Sequence, residues 1–199
     1  MKSLIIGGLL TVIGITGFSG VCVAQEKKID QKALAPEKYL SEGMKEISLS
    51  GGFGGKIPLR RFDGRDETRF IAVTPSVGYF IKDHQELLLE APILYYYNPQ
   101  HAIAAGVDVM YRYHFSRNRN FAPFVEIGAG INYVGLDVRE LTGKFQFSLQ
   151  GGIGLRRKIS DHSDLTATVR WHHFSNAGTR APNIGINDSF FEIGYSHYF

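Results

Sequence analysis

From Lys45 to the C-terminus, apolar and polar side chains alternate with a period of two. Successive side chains of a β-strand point to opposite faces, so this alternation predicts strands with one apolar and one polar face. The pattern predicts eight strands, at residues 45–55, 69–81, 85–97, 101–115, 120–134, 145–159, 164–176 and 187–199. The third strand fits least well, because Leu88 and Leu94 fall on its polar face.

Three features favour a closed transmembrane barrel over a soluble β-sandwich, which would show the same alternation. The predicted strands are about 11–15 residues long, which suits a tilted membrane crossing better than an ordinary strand of about 5–6 residues. The even positions carry charged residues such as Glu126 and Arg170, as expected of a narrow polar lumen with ion pairs. The C-terminal alternation of Tyr195, His197 and Phe199 resembles the end of bacterial outer-membrane barrels.

We therefore expect an all-β fold, an eight-stranded antiparallel transmembrane β-barrel of the bacterial outer membrane. With both termini on the periplasmic side, the loops that face the outside of the cell are residues 56–68, 98–100, 135–144 and 177–186.

The N-terminus has the organisation of a cleaved signal peptide. Lys2 supplies a positive charge, residues 4–18 are almost entirely apolar, and small residues lead to a cleavage site after Ala24. A retained membrane anchor is the alternative, and a lipoprotein acylated at Cys22 is disfavoured by the bulky Val21 before it. The predicted organisation is a signal peptide at 1–24, a polar N-terminal extension at 25–43 and the barrel at 44–199.

Composition limits the function classes. The 199 residues are 44% hydrophobic and carry a net charge of +3, which argues against a disordered chain and is too weak a charge for a nucleic-acid-binding protein. Its single apolar stretch of spanning length is N-terminal, which excludes a bundle of membrane helices. Cys22 is the only cysteine and leaves with the signal peptide, so disulfides, zinc–thiolate sites and cysteine nucleophiles are excluded.

Candidate chemistry lies near the end of the seventh predicted strand. His173 and Ser175 are two residues apart on the outward, lipid-facing side, so an imidazole lies beside a hydroxyl that it could activate as a general base. Asn187 has the same parity on the neighbouring strand and could orient the imidazole from its other nitrogen. His172 points to the opposite face from His173, so the two cannot chelate a metal together, and we predict no metal site. Taken alone, His173 and Ser175 could also be ordinary polar residues of the membrane interface.

The residues that follow add candidate donors for an oxyanion. Asn176 and Asn183 carry carboxamides, and Gly178 offers a backbone N–H, in the connection between the last two strands.

The segment His173-Phe174-Ser175-Asn176-Ala177, with Pro182-Asn183 and Gly185, resembles the signature of PagL-type lipid A 3-O-deacylases, which are outer-membrane enzymes. The resemblance implies that His173 is the catalytic base and Ser175 the nucleophile. It also implies that Asn183 and the Gly178 backbone form the oxyanion site, with Asn176 in support. The reaction would be hydrolysis of the 3-O-linked hydroxyacyl ester of lipid A in lipopolysaccharide, with no cofactor.

The sequence departs from that family at the third member of the triad. In the best-known enzyme of that family the third member is a Glu twelve residues after the serine, and here that position is Asn187. An Asn can hold the imidazole in one tautomer but cannot stabilise the imidazolium by charge. The neighbouring Asp188 has a carboxylate, but its even parity directs it into the lumen.

Two other functions are compatible with the residues. One is a non-catalytic small barrel of the porin or adhesin type, and the other is a phospholipase or acyltransferase acting on other membrane lipids. The sequence also leaves open whether the barrel forms a homodimer through its outer wall.

Overall fold

The computed structural model describes residues 39–56, 67–116 and 120–199. The predicted signal peptide, most of the predicted extension and most of the first predicted loop lie outside these ranges. Within them, no helix is long and apolar enough to cross a membrane.

The described residues form nine strands in one antiparallel sheet that closes on itself. β1 pairs with both β2 and β9, which joins the first and last strands and leaves no free edge. The strands are β1 (Lys45–Lys56), β2 (Arg69–Lys82), β3 (Gln85–Glu90), β4 (Ile93–Asn98), β5 (Ala102–His114), β6 (Ala122–Val134), β7 (Phe145–Ser160), β8 (Ser163–Ser175) and β9 (Ile186–Tyr198).

β3 and β4 are two halves of one position in the barrel, because both pair with β2 on one side and β5 on the other. The expectation of an eight-stranded barrel is therefore confirmed, with its third strand interrupted at Ala91 and Pro92. Proline has no N–H to give to a sheet, so a regular ladder cannot continue through Pro92. The Ala91 N–H instead donates to the Pro75 carbonyl, and the Pro92 carbonyl accepts from Gly106.

The predicted parity holds through most of the strands. Even-numbered side chains such as Glu46 and Met110 are buried inside the barrel, whereas odd-numbered ones such as Leu49 and Ile127 are more than half exposed on its outer wall. An apolar outer wall around a closed sheet is the arrangement that lipid requires, because every strand has partners on both sides.

Charged side chains fill the middle of the lumen in pairs, as expected from the sequence. Arg170 lies 2.8 Å from Glu90 and 2.7 Å from Glu126, and Arg156 lies 2.9 Å from Glu46. These side chains are almost completely buried. The pairing offsets the cost of removing each charge from water.

The lumen is not polar throughout, which differs from the predicted polar interior. Apolar clusters occupy both of its ends, and Leu94, which broke the predicted polar face, belongs to one of them. This cluster also contains Phe70, Tyr96, Phe174 and Phe190 and lies at the end with the longer connections, here called the loop end. In outer-membrane barrels the longer connections are extracellular.

The other end, the turn end, is closed by residues that the sequence reading assigned to the polar extension. Leu40 is completely buried among Phe80, Ala122 and Tyr198, and the Tyr39 hydroxyl donates to Asp164 at 2.7 Å. Burial raises the pKa of Tyr39, and the Asp164 carboxylate raises it further. Tyr39 and Leu40 therefore pack with the barrel, although the predicted boundary at residue 44 left them in the extension.

Candidate active site

His173 and Asn187 face each other across the loop end of β8 and β9. The two residues are direct partners in the strand register, and the His173 Nδ1 donates a hydrogen bond to the Asn187 Oδ1 at 3.0 Å. An amide oxygen only accepts, so the proton of the neutral imidazole is fixed on Nδ1. In this neutral tautomer the lone pair is on the His173 Nε2, which can act as a base.

Ser175 is the last residue of β8 and lies on the same outward face as His173. Two residues along a strand span about 6.5–7 Å between Cα atoms, a distance that a histidine and a serine side chain can bridge. Ser175 is half-buried, opposite Phe147 of β7. The structure thus links His173 to Asn187 by a hydrogen bond and places Ser175 on the same outward face, one strand repeat from His173.

Two neighbours restrict the imidazole of His173. The Trp171 ring lies nearly parallel to it, with an interplanar angle of 16° and centroids 6.0 Å apart. On another side, a Cβ at Gly185 would approach the His173 Cε1 to 2.7 Å. Gly185 also has a φ of +73°, so both its backbone conformation and the imidazole beside it require a glycine.

The connection between β8 and β9 is organised around the buried Asn176. Its carboxamide Nδ2 donates to the Arg180 carbonyl at 2.9 Å, and its Oδ1 accepts from the Gly178 N–H at 2.9 Å. Its backbone N–H donates to the Asn183 Oδ1 at 3.1 Å. This last bond holds the Asn183 carboxamide against the residue that follows Ser175.

The three predicted oxyanion donors therefore lie in one loop, but they differ in whether their N–H groups are already used in hydrogen bonds. Asn176 and the Gly178 N–H are bonded to other groups of the loop. The exposed Asn183 uses its Oδ1, and no described residue accepts a hydrogen bond from its Nδ2. Asn183 thus has a free carboxamide N–H donor close to Asn176, the residue that follows Ser175.

The residues next to the triad point into the lumen, as parity predicted. Asp188 is buried and accepts hydrogen bonds from Thr68 and Tyr96, so its carboxylate does not serve His173. His172 is also buried, with its ring centroid 3.9 Å from that of Phe174. In the part of the chain that the structure describes, no three His, Cys, Asp or Glu side chains are grouped so as to hold a metal ion.

Two residues at the site were not predicted from the sequence. Thr142 and Glu140 belong to the connection between β6 and β7 and bond to the β8–β9 connection at Pro182 and Gly185. They are about forty residues from their partners along the chain. No local pattern in the sequence signals such a contact.

A family model described as lipid A 3-O-deacylase (PagL) matches residues 51–196, which include every residue of this site. No curated protein sequence matches the chain.

Solved structures of outer-membrane barrels share the fold. Neisserial surface protein A has a TM-score of 0.62 and 14% identity, covering 79% of this chain and 100% of its own. The N-terminal barrel domain of OprF from Pseudomonas aeruginosa has a TM-score of 0.52 and 17% identity, covering 79% and 98%. The outer-membrane enzyme PagL has a TM-score of 0.51 and 19% identity, covering 76% and 98%. At these identities the structural likeness shows the fold alone.

Proposed function

Because the chain belongs to the lipid A 3-O-deacylase (PagL) family of the bacterial outer membrane, we propose that it removes the 3-O-linked hydroxyacyl chain of lipid A by a serine–histidine mechanism. The observation that carries the proposal is the hydrogen bond from His173 to Asn187, two residues from Ser175 on the same outward face. In the neutral tautomer that this bond favours, the lone pair of the imidazole is on Nε2.

In the first half of the reaction, Ser175 attacks the ester carbonyl carbon while its hydroxyl proton passes to the His173 Nε2. The resulting oxyanion accepts a hydrogen bond from the Asn183 Nδ2, which stabilises charge that is absent from the ground-state ester. The bond from the carbonyl carbon to the sugar oxygen then breaks. His173 returns the proton to that oxygen, which leaves an acyl-enzyme and the free 3-hydroxyl group of lipid A.

In the second half, water attacks the acyl-enzyme and gives a proton to the His173 Nε2. The ester bond to Ser175 breaks, the hydroxy fatty acid leaves, and Ser175 regains its proton from the imidazolium. Asn187 holds the imidazole in place through both halves, although it lacks the charge of a carboxylate.

The position of the site fits a substrate that is dissolved in the membrane. His173 and Ser175 lie at the loop end of an outer wall that is mostly apolar, so an acyl chain of the outer leaflet can lie along the wall while its ester reaches Ser175. His173, Ser175 and Asn187 all come from two adjacent strands of one chain. A homodimer is therefore not part of the proposed mechanism.

Mass spectrometry of lipid A from outer membranes that contain each variant tests the proposal. We expect the wild type to produce lipid A lighter by one hydroxyacyl chain, and Ser175→Ala and His173→Ala to leave the mass unchanged. Ser189→Ala is the matched control, because Ser189 is also an outward-facing serine of this hairpin but has no role in the mechanism. It should retain activity.

Two results would contradict the proposal in different ways. Deacylation that persists in Ser175→Ala, in protein shown to be folded by its heat-dependent mobility on a denaturing gel, would refute the serine mechanism. Loss of phospholipid acyl chains with intact lipid A would refute the substrate and favour a phospholipase.

A further inference from the structure

The segment that carries Asn183 has few contacts of its own. Residues 181–184 are exposed, and the side-chain bond that Asn183 makes to the Asn176 N–H fixes only the end of its carboxamide. An oxyanion donor must be held in place before the reaction, because reorganising it in the transition state would cost free energy. Its backbone therefore needs support from elsewhere.

That support comes from the neighbouring connection between β6 and β7. The Thr142 Oγ1 donates to the Pro182 carbonyl at 2.8 Å, just before Asn183. The Gly185 N–H donates to the Glu140 carbonyl at 3.0 Å, just after it. Residues 140–142 thus form one hydrogen bond on each side of Asn183.

The supporting segment is itself anchored. Leu141, between the two bracketing residues, is buried in the apolar cluster at the loop end together with Phe174 and Ile186. Those two residues lie next to the site on β8 and β9. The Thr142 carbonyl also accepts from the Asn176 Nδ2 at 3.4 Å, so residues 140–142 contact both ends of the catalytic connection.

We propose that Thr142 is a positioning residue of the deacylase, which holds the Asn183 carboxamide at the oxyanion through its hydrogen bond to the Pro182 carbonyl. This inference rests on the function proposed above. Thr142 does not touch the ester; it acts through Asn183. Thr142 should therefore stabilise the transition state more than the bound substrate, so its loss should lower kcat and leave KM nearly unchanged.

The test compares Thr142→Val, which keeps the shape but removes the donor, with Thr142→Ser, which keeps the hydroxyl. We expect Thr142→Val to lower kcat on lipid A in mixed micelles roughly fivefold, the effect of losing one neutral hydrogen bond, with KM changed by less than about twofold. Thr142→Ser should retain at least about half of the wild-type kcat. Equal losses in both variants, or full activity in Thr142→Val, would overturn the inference.

A double-mutant cycle with Asn183→Ala identifies the route by which Thr142 acts. Asn183→Ala should lower kcat by about a hundredfold or more, and in that background Thr142→Val should cost less than about twofold. The same fivefold loss in both backgrounds would mean that Thr142 acts elsewhere, and the inference would be wrong. Wild-type kcat in Asn183→Ala would instead refute the oxyanion assignment within the proposed function.

Discussion

At the residue scale, the imidazole of His173 is oriented by a neutral partner. Asn187 is buried and its Oδ1 accepts from Nδ1 at 3.0 Å, so the tautomer is fixed without a charge. The nearest carboxylate in sequence, that of Asp188, is directed into the lumen and bonded to Thr68. The proposed site therefore lacks an acidic triad member on the outward side of β9, and the imidazolium of the proposed mechanism would have only a dipole beside it.

Replacing Asn187 by a carboxylate should accelerate the reaction. Asn187→Asp keeps the size and the acceptor oxygen of the side chain and adds a negative charge beside the imidazolium. We expect kcat to rise about tenfold, equivalent to about 1.4 kcal/mol of transition-state stabilisation. Asn187→Leu, which removes the acceptor, should lower kcat instead. Steady-state kinetics of the two variants would check this, and an unchanged kcat in Asn187→Asp would show that His173 gains no charge in the rate-limiting step.

At the scale of elements, the catalytic connection between β8 and β9 depends on close backbone approach as well as on hydrogen bonds. Gly185 combines a positive φ with contact to His173, and its N–H is bonded to the neighbouring connection. The proposed base, the proposed oxyanion donor and the connection between β6 and β7 thus meet around one glycine. A change at Gly185 that adds a side chain should therefore move catalytic groups without removing any of them.

Gly185→Ala should nearly abolish activity while the barrel still forms. The new methyl group would lie 2.7 Å from the His173 Cε1 and from the Phe174 carbonyl, so the imidazole or the loop must move. We expect kcat to fall about a hundredfold, as for other small misplacements of catalytic groups. Gly143→Ala is the control, because Gly143 has a φ of +84° and its added Cβ would meet only the Arg180 guanidinium, at 3.8 Å.

In each of the two glycine variants, a side chain at positive φ should lower the free energy of unfolding by about 1 kcal/mol, as measured by unfolding in urea. They should differ in lipid A deacylation. Equal activity in the two variants would mean that contact with His173 does not limit catalysis.

Much of this arrangement could be predicted from the sequence because strands have a fixed period. Parity alone placed His173, Ser175 and Asn187 on one face, and it separated Asp188 from them. The break at Pro92 is not predicted, because odd and even positions keep the same faces on both sides of it, although proline cannot donate to a ladder. The bond between Thr142 and Pro182 could not be predicted, since it depends on how two loops pack and not on any periodicity.

At the scale of the whole molecule, the barrel has apolar side chains outside and charged side chains inside, the reverse of a soluble protein. Its mean hydropathy of −0.09 is unremarkable because it averages an apolar outer wall with a charged lumen. Apolar clusters close both ends of that lumen, so the ion pairs between them are held away from water. The proposed catalytic groups lie outside, on the wall, apart from the residues whose ion pairs fill the lumen.

Arg170 is the clearest test of that separation. Its guanidinium contacts Glu90 through two hydrogen bonds of 2.8 and 3.1 Å and Glu126 at 2.7 Å, and all three side chains are buried. Arg170→Met would leave these carboxylates without that cation, and removing one partner of a buried ion pair costs about 3–5 kcal/mol. We expect a lower midpoint of urea unfolding but wild-type kcat per folded molecule.

Arg69→Met provides the comparison at the surface. Arg69 pairs with Glu67 at 3.3 Å, but both side chains are more than half exposed, so solvent screens the pair. Its loss should shift the unfolding midpoint little. If the two variants lost equal stability, the lumenal pairs would contribute no more than surface ones. If Arg170→Met lowered kcat in the folded fraction, the lumen and the site would be coupled, because Arg170 and His173 lie on the same strand and a shift of β8 would reach both.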